Sequence, residues 1–135
     1  MKPGLRVLDS YSVIAYLENE PGAKKMIELL KMARDSGTDL LLCVINWGEV
    51  YHITRRELGP DRAEEVVALL HSLPIEIIDA DTPLTKVAAE FKSKHKMSYA
   101  DCFAAALAKS RNGEVVTGDK EFEQVEKEVR IHWIE

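Results

Sequence analysis

Leu40-Leu-Leu-Cys-Val44, followed at once by Ile45-Asn-Trp-Gly-Glu49, decides the fold class. A half-exposed strand alternates apolar and polar residues. Five apolar residues in a row fit a strand covered on both faces, and such strands belong to parallel sheets between helices. Working outward, four more short β-rich runs stand at residues 5–8, Ile75–Ile78, Glu114–Thr117 and Arg130–Trp133. Helical stripes separate them: Met26, Leu29, Leu30 and Ala33; Ala63, Val66, Val67 and Leu70; Leu84, Val87, Ala88 and Phe91. Pro21, Gly37, Gly59-Pro60 and Pro83 punctuate the pattern at helix starts and turns. Residues 47–58 and 62–70 put two helices into one connection, more than a simple crossover needs. The expectation is an α/β chain in three α/β/α layers around a mostly parallel five-stranded sheet, with extra helices that help build a cleft. With 135 residues and no repeat or linker, a single domain over 1–135 is expected.

Composition agrees with this reading. Hydrophobic residues make up 46% and charged residues 30%, with 7 Gly and 5 Pro, which excludes collagen-like and disordered classes and supplies a core. Cys43 and Cys102 form no CxxC pair, so neither a zinc site nor a disulfide framework is indicated; both read as small buried hydrophobes. No useful apolar stretch precedes Asp9, so no signal peptide is expected. The longest apolar runs, 40–45 and 102–108, fall far short of the roughly 18 residues of a membrane span. A cytoplasmic protein with no membrane contact is expected. The 18 basic and 23 acidic residues give a net charge of −5, which at face value argues against nucleic acid.

In open α/β sheets ligands bind outside the carboxyl ends of the strands, and four acids draw attention there. Asp9 follows the first strand, Glu49 lies one turn into the helix after the second, Asp101 opens an Ala-rich helix and Asp119 follows the fourth strand. Each has a plain alternative explanation. Asp9 and Asp119 suit helix N-caps, and Asn46…Glu49 and Ser98…Asp101 have capping-box spacing. Jointly the balance shifts, because parallel strands bring Asp9, Glu49 and Asp119 to one edge. Asp101 leads the stripe Ala104, Ala105, Ala108, a face that packs inward, where a carboxylate needs a partner. Converging acids without matching Lys or Arg raise one another's pKa unless a cation lies between them. Carboxylate oxygens select hard cations such as Mg²⁺. Such a centre performs phosphoryl chemistry with a metal-activated water.

Four segments carry a family resemblance: Val7-Leu-Asp-Ser-Tyr-Ser-Val-Ile-Ala-Tyr-Leu17, Ile45-Asn-Trp-Gly-Glu-Val-Tyr51, Met97-Ser-Tyr-Ala-Asp-Cys-Phe-Ala-Ala-Ala-Leu-Ala108 and Val115-Val-Thr-Gly-Asp-Lys-Glu-Phe122. In order and spacing the chain resembles the PIN-domain nucleases, and within them the VapC-like toxins of type II toxin–antitoxin pairs. The resemblance implies a parallel five-stranded sheet between helices, with Asp9, Glu49, Asp101 and Asp119 around Mg²⁺, or Mn²⁺ as a substitute. It implies Thr117 and Ser10 as hydroxyl neighbours of the fourth and first acids. It further implies endonucleolytic cleavage of RNA leaving a 5′-phosphate and a 3′-hydroxyl, a homodimer, and a small antitoxin inserted into the acidic groove. A PIN-domain RNA-processing nuclease without an antitoxin is the nearest alternative.

Around this set, His52 and Arg56 follow Glu49 on one helical face and are candidates for the substrate groove, opposite a core-facing side of Trp47, Val50, Tyr51, Thr54 and Leu58. Lys92, Lys94 and Lys96 run up to the Asp101 motif as candidate phosphate contacts, Lys96 foremost, although solvated helix faces explain such charges equally well. Tyr11 and Tyr99 flank acidic positions and suit base stacking or packing. Two readings from other classes compete. A receiver-type signalling module would use Asp79 or Asp81 after the third strand as phospho-acceptor, but it needs paired acids after the first, where Ser10 follows Asp9. A binding module whose acids merely cap helices would be indifferent to Mg²⁺. A haloacid-dehalogenase-type phosphatase lacks the second Asp of its DxD signature. Without the four candidate acids the balance is 18 basic against 19 acidic, and Glu114–Glu135 alone holds 3 basic and 7 acidic residues. The acidity is local and leaves an RNA partner open.

Overall fold

A computed structural model describes residues 4–135. In chain order it comprises β1 (Arg6–Leu8), α1 (Ser10–Leu17), α2 (Ala23–Ser36), β2 (Leu40–Cys43), α3 (Val44–Leu58), α4 (Pro60–Ser72), β3 (Ile75–Ile78), α5 (Thr82–Lys94), α6 (Tyr99–Ser110), β4 (Glu114–Thr117), a 3-10 helix (Lys120–Val125) and β5 (Arg130–Trp133). The strands form one sheet in the order β3-β2-β1-β4-β5, and every pairing is parallel. The expected α/β class and five strands are present, and the sheet is parallel throughout. The first three connections each contain two helices.

The run that decided the class shows why it is apolar throughout. Leu41 and Cys43 pack into a core shared with α5 and α6, together with Val7 and Val115. Leu40 and Leu42 point the other way, into a core with Leu8, Val116 and residues of α1 to α4. Successive side chains of a strand face opposite sides, so burial on both sides demands an apolar residue at every position. Fully burying such a side chain stabilises by about 1.5–3 kcal/mol, and Leu8, Leu42, Val7, Val115 and Val116 are all fully buried. On α6 the whole segment from Cys102 to Ala108 is buried, and its alanines let the helix approach the sheet closely. Both cysteines lie free in the core, as expected.

Two local features differ from expectation. The first strand begins at Arg6, not residue 5. The helix after β2 starts at Val44 with no connecting residue, its N-cap being Cys43, which places Asn46 inside its first turn. Asn46 is therefore not the cap of a box with Glu49. At the α3–α4 junction Gly59 has φ 93°, a conformation side chains resist, and Pro60 then opens α4.

The chain leaves β1 toward β2 on one side and returns through β4 on the other. The sheet order therefore reverses between β1 and β4, the place where open α/β sheets form a crevice. Asp9 and Asp119 follow these two strands directly or nearly so.

Candidate metal centre

Asp9 is fully buried and caps α1. Its Oδ1 accepts from the Ser12 backbone N–H at 2.8 Å, and Ser12 Oγ accepts in return from the Asp9 N–H at 3.2 Å. The other oxygen, Oδ2, accepts from Thr117 Oγ1 at 2.5 Å. The same Thr117 oxygen accepts from the Asp119 N–H at 3.0 Å, so one buried hydroxyl joins the ends of β1 and β4. Asp119 Oδ1 in turn accepts from the Glu121 N–H at 2.9 Å and starts the 3-10 helix. At α6 the cap is Ser98, whose Oγ accepts from the Asp101 N–H at 3.1 Å. Ser10 Oγ donates to Glu49 Oε1 and ties α1 to α3. The helix-capping explanation thus holds for Asp9 and Asp119, yet each keeps lone pairs unused. A carboxylate offers about four, and Asp9 has committed one on each oxygen.

These elements enclose a cavity of about 460 Å³ whose lining includes Ser10, Glu49, Ser98, Asp101, Asp119 and Glu121. Among the described residues no lysine or arginine lines it. One carboxylate oxygen from each of Asp101, Asp119 and Glu121 lies within 4.8 Å of the others. Asp9 is buried outside the lining but close enough to act on Asp101 electrostatically. Burial pushes the Asp101 carboxyl up to about 8, helped by repulsion from Asp9, Asp119 and Glu49. Burial also raises Asp9 to about 6, against the opposing hydrogen bonds from Thr117 and Ser12. An all-oxygen donor set, clustered, short of counter-charge and raised in pKa, fits a hard divalent cation.

Glu121 is absent from the sequence-based set. Its signal was the i, i+2 spacing in Asp119-Lys-Glu121, which reads only as part of an acidic tail until the 3-10 turn folds it toward Asp101. The four acids singled out from the sequence come to one end of the sheet, three of them on the cavity wall. Ser10 and Thr117 bond to Glu49 and Asp9 respectively. The remaining candidates lie elsewhere. His52 and Arg56 are exposed and do not line the cavity, where α3 presents Glu49 and Ile53 instead; Arg56 pairs with Glu57 at 3.5 Å. On the opposite side of α3, Val50 and Thr54 are buried, Trp47 stacks on Tyr51 at 5.7 Å, and Leu58 is exposed. Lys96 is exposed and also outside the lining; its backbone pairs with the Gln124 amide. Lys92 Nζ donates to the Met97 carbonyl at 2.6 Å. Tyr11 lines the cavity, whereas Tyr99 packs against Phe103 at 5.1 Å.

The PIN domain model matches residues 6–128. No curated protein sequence matches the chain. Among solved structures, the DNA-bound VapBC of Salmonella typhimurium is 25% identical, with a TM-score of 0.77, over 98% of this chain and 99% of that one. VapBC2 of Rickettsia felis, bound to a fragment of promoter DNA, is 14% identical with a TM-score of 0.78, over 96% and 98%. VapC20 of Mycobacterium tuberculosis, a sarcin–ricin-loop-cleaving toxin, is 14% identical with a TM-score of 0.72, over 89% and 94%. With the match spanning nearly its whole length and an acidic cavity at the β1–β4 reversal, the chain belongs to the PIN domain family and is VapC-like within it.

Proposed function

We propose that this protein is a metal-dependent endoribonuclease, a single-domain cytoplasmic toxin of a toxin–antitoxin pair. The observation that carries the reading is the convergence of Glu49, Asp101, Asp119 and Glu121 on one cavity, with buried Asp9 close enough to act on Asp101 and, among the described residues, no basic residue in the lining. Asp101, Asp119 and Asp9 would hold Mg²⁺, with Mn²⁺ as a substitute, and Glu49 and Glu121 complete the acidic wall. When bound, the cation supplies charge for the phosphate oxygens and acidifies a water for in-line hydrolysis. The chain's own contribution is orientation. Thr117 holds Asp9 and the Asp119 backbone in one register, and Ser10 fixes one oxygen of Glu49, leaving the other free to orient a nucleophile. The products are a 5′-phosphate and a 3′-hydroxyl. The sequence of the four segments and the likeness to VapBC assemblies support a small antitoxin as partner. The chain itself forms a homodimer in this reading.

The receiver-type alternative finds no support. Asp79 and Asp81 follow the edge strand β3, line a separate cavity, and Asp81 caps α5. The deciding experiment is cleavage of a mixed RNA pool with and without Mg²⁺, comparing wild type with Asp101→Asn and mapping the cut ends. Mg²⁺-dependent cuts with 5′-phosphate ends, lost in the variant, are expected. Equal cleavage by the variant would sink the assignment.

A further inference from the structure

Asn46 is fully buried in the first turn of α3, three residues before Glu49, and it serves no cap. Its Nδ2 donates to the Ala100 carbonyl at 3.1 Å. Ala100 lies on α6 immediately before Asp101. The opposite amide orientation would set two acceptors against each other, so the bond fixes which end faces α6. Its Oδ1 is buried without a hydrogen-bond partner among the described residues. A buried polar atom left unpaired is destabilising, so an apolar side chain of similar volume would serve packing between α3 and α6 better. Packing alone does not account for this amide.

We infer that Asn46 is a positioning residue: by bonding across to the Ala100 carbonyl it sets the first turn of α6 against the first turns of α3, and so fixes Asp101 relative to Glu49. Both carboxylates line the same cavity, and among the described residues this is the one side-chain hydrogen bond that joins α3 to α6. Helix ends move more easily than helix centres, and a donor delivered to a first-turn carbonyl restrains the end that carries the acid. The inference rests on the proposed metal-dependent cleavage and deepens it, because loss of a group that orients metal ligands typically costs about 10–100-fold in metal affinity or activity.

The test uses the full chain with Asn46→Leu, which keeps the branching of the amide but is bulkier and has no donor, and Asn46→Ala as a second variant without steric demand. Three quantities are read: metal-free melting temperature, Mg²⁺ affinity by calorimetry, and steady-state RNA cleavage. For Asn46→Leu we expect Mg²⁺ binding weaker by about tenfold in the folded protein, and kcat lower by about tenfold with KM for RNA within about twofold of wild type. Asn46→Ala should weaken Mg²⁺ binding equally while melting lower. If both variants bind Mg²⁺ and cleave as wild type does, Asn46 positions nothing. Losses that only track the unfolded fraction assign it a packing role and overturn the inference as well. If the wild type itself neither binds Mg²⁺ nor cleaves RNA, the proposed function fails, a result separable from the other two.

Discussion

Asp101→Asn removes one charge from the most crowded point of the cavity, and its effect on stability follows from the geometry. With oxygens 4.8 Å apart or closer, two ionised carboxylates repel by about 3 kcal/mol at an effective dielectric near 20. The metal-free protein avoids this by keeping Asp101 protonated, its pKa raised from 3.8 to about 8. A raised carboxyl pKa means the folded state binds the proton more tightly than the unfolded state. The stability linked to that proton is fully present below about pH 4 and is lost as pH rises toward 8. At about 1.4 kcal/mol per pKa unit the cost near pH 7.5 has a ceiling of about 5 kcal/mol. Asparagine escapes this cost but buries an amide with unpaired groups, which takes back about 1–3 kcal/mol. A net gain of at most about 2–4 kcal/mol remains, or roughly 7–14 °C in melting temperature for a domain of this length. The assay is thermal melting in chelator at several pH values. The variant should melt higher at pH 7.5, and the gap should close near pH 5, where the ionisation cost of Asp101 has fallen to about that of the buried amide; Asp9 is common to both proteins. Added Mg²⁺ should raise the wild type more than the variant. A variant that melts lower at pH 7.5, or a gap that ignores pH, would refute the reasoning about a crowded acidic centre.

Three further perturbations probe other parts of the molecule. Thr117→Val removes the donor to Asp9 Oδ2 and the acceptor for the Asp119 N–H; it should cost about 1–3 kcal/mol in urea unfolding and push Asp9 further above about 6 in an NMR titration, since the Thr117 bond is the largest influence lowering it. Glu121→Gln should weaken Mg²⁺ binding, read by calorimetry, while leaving the metal-free melting temperature unchanged or slightly higher, because Glu121 is exposed and its loss relieves repulsion. Unchanged affinity would remove Glu121 from the centre. Leu42→Ala, at a fully buried position of β2, should cost about 2–5 kcal/mol in the same unfolding assay with the denaturant slope preserved; a cost below about 1 kcal/mol would contradict burial on both faces.

The strands show how far local pattern reaches. Residues 40–43 were readable as a doubly covered strand because each apolar side chain reports its own burial, while Val44, expected in the same strand, opens α3; Ile75–Ile78, Glu114–Thr117 and Arg130–Trp133 match the structure's bounds. Capping was readable where it is strictly local: Asp9 and Ser98 bond to backbone N–H groups three residues on. Asn46 shows the limit. Its spacing to Glu49 imitates a capping box, but the preceding strand runs straight into the helix, and the side chain turns instead to Ala100, 54 positions away.

Net charge marks the same boundary. The acidic residues 114–135 read as a charged tail, yet Asp119 and Glu121 from that stretch form part of the cavity wall. By itself the sequence determined the class, the strands, the helical stripes and which four acids stand near strand ends or helix starts, because those properties rest on periodicity and near neighbours. Only the tertiary structure decided which of them share a cavity, that Glu121 joins them while His52, Arg56 and Lys96 do not, and that Thr117 and Asn46 link the acid-bearing elements. The physical reason is that these relations depend on strand order and on hydrogen bonds between residues far apart in the chain, and no local pattern records who meets across a sheet that reverses between β1 and β4.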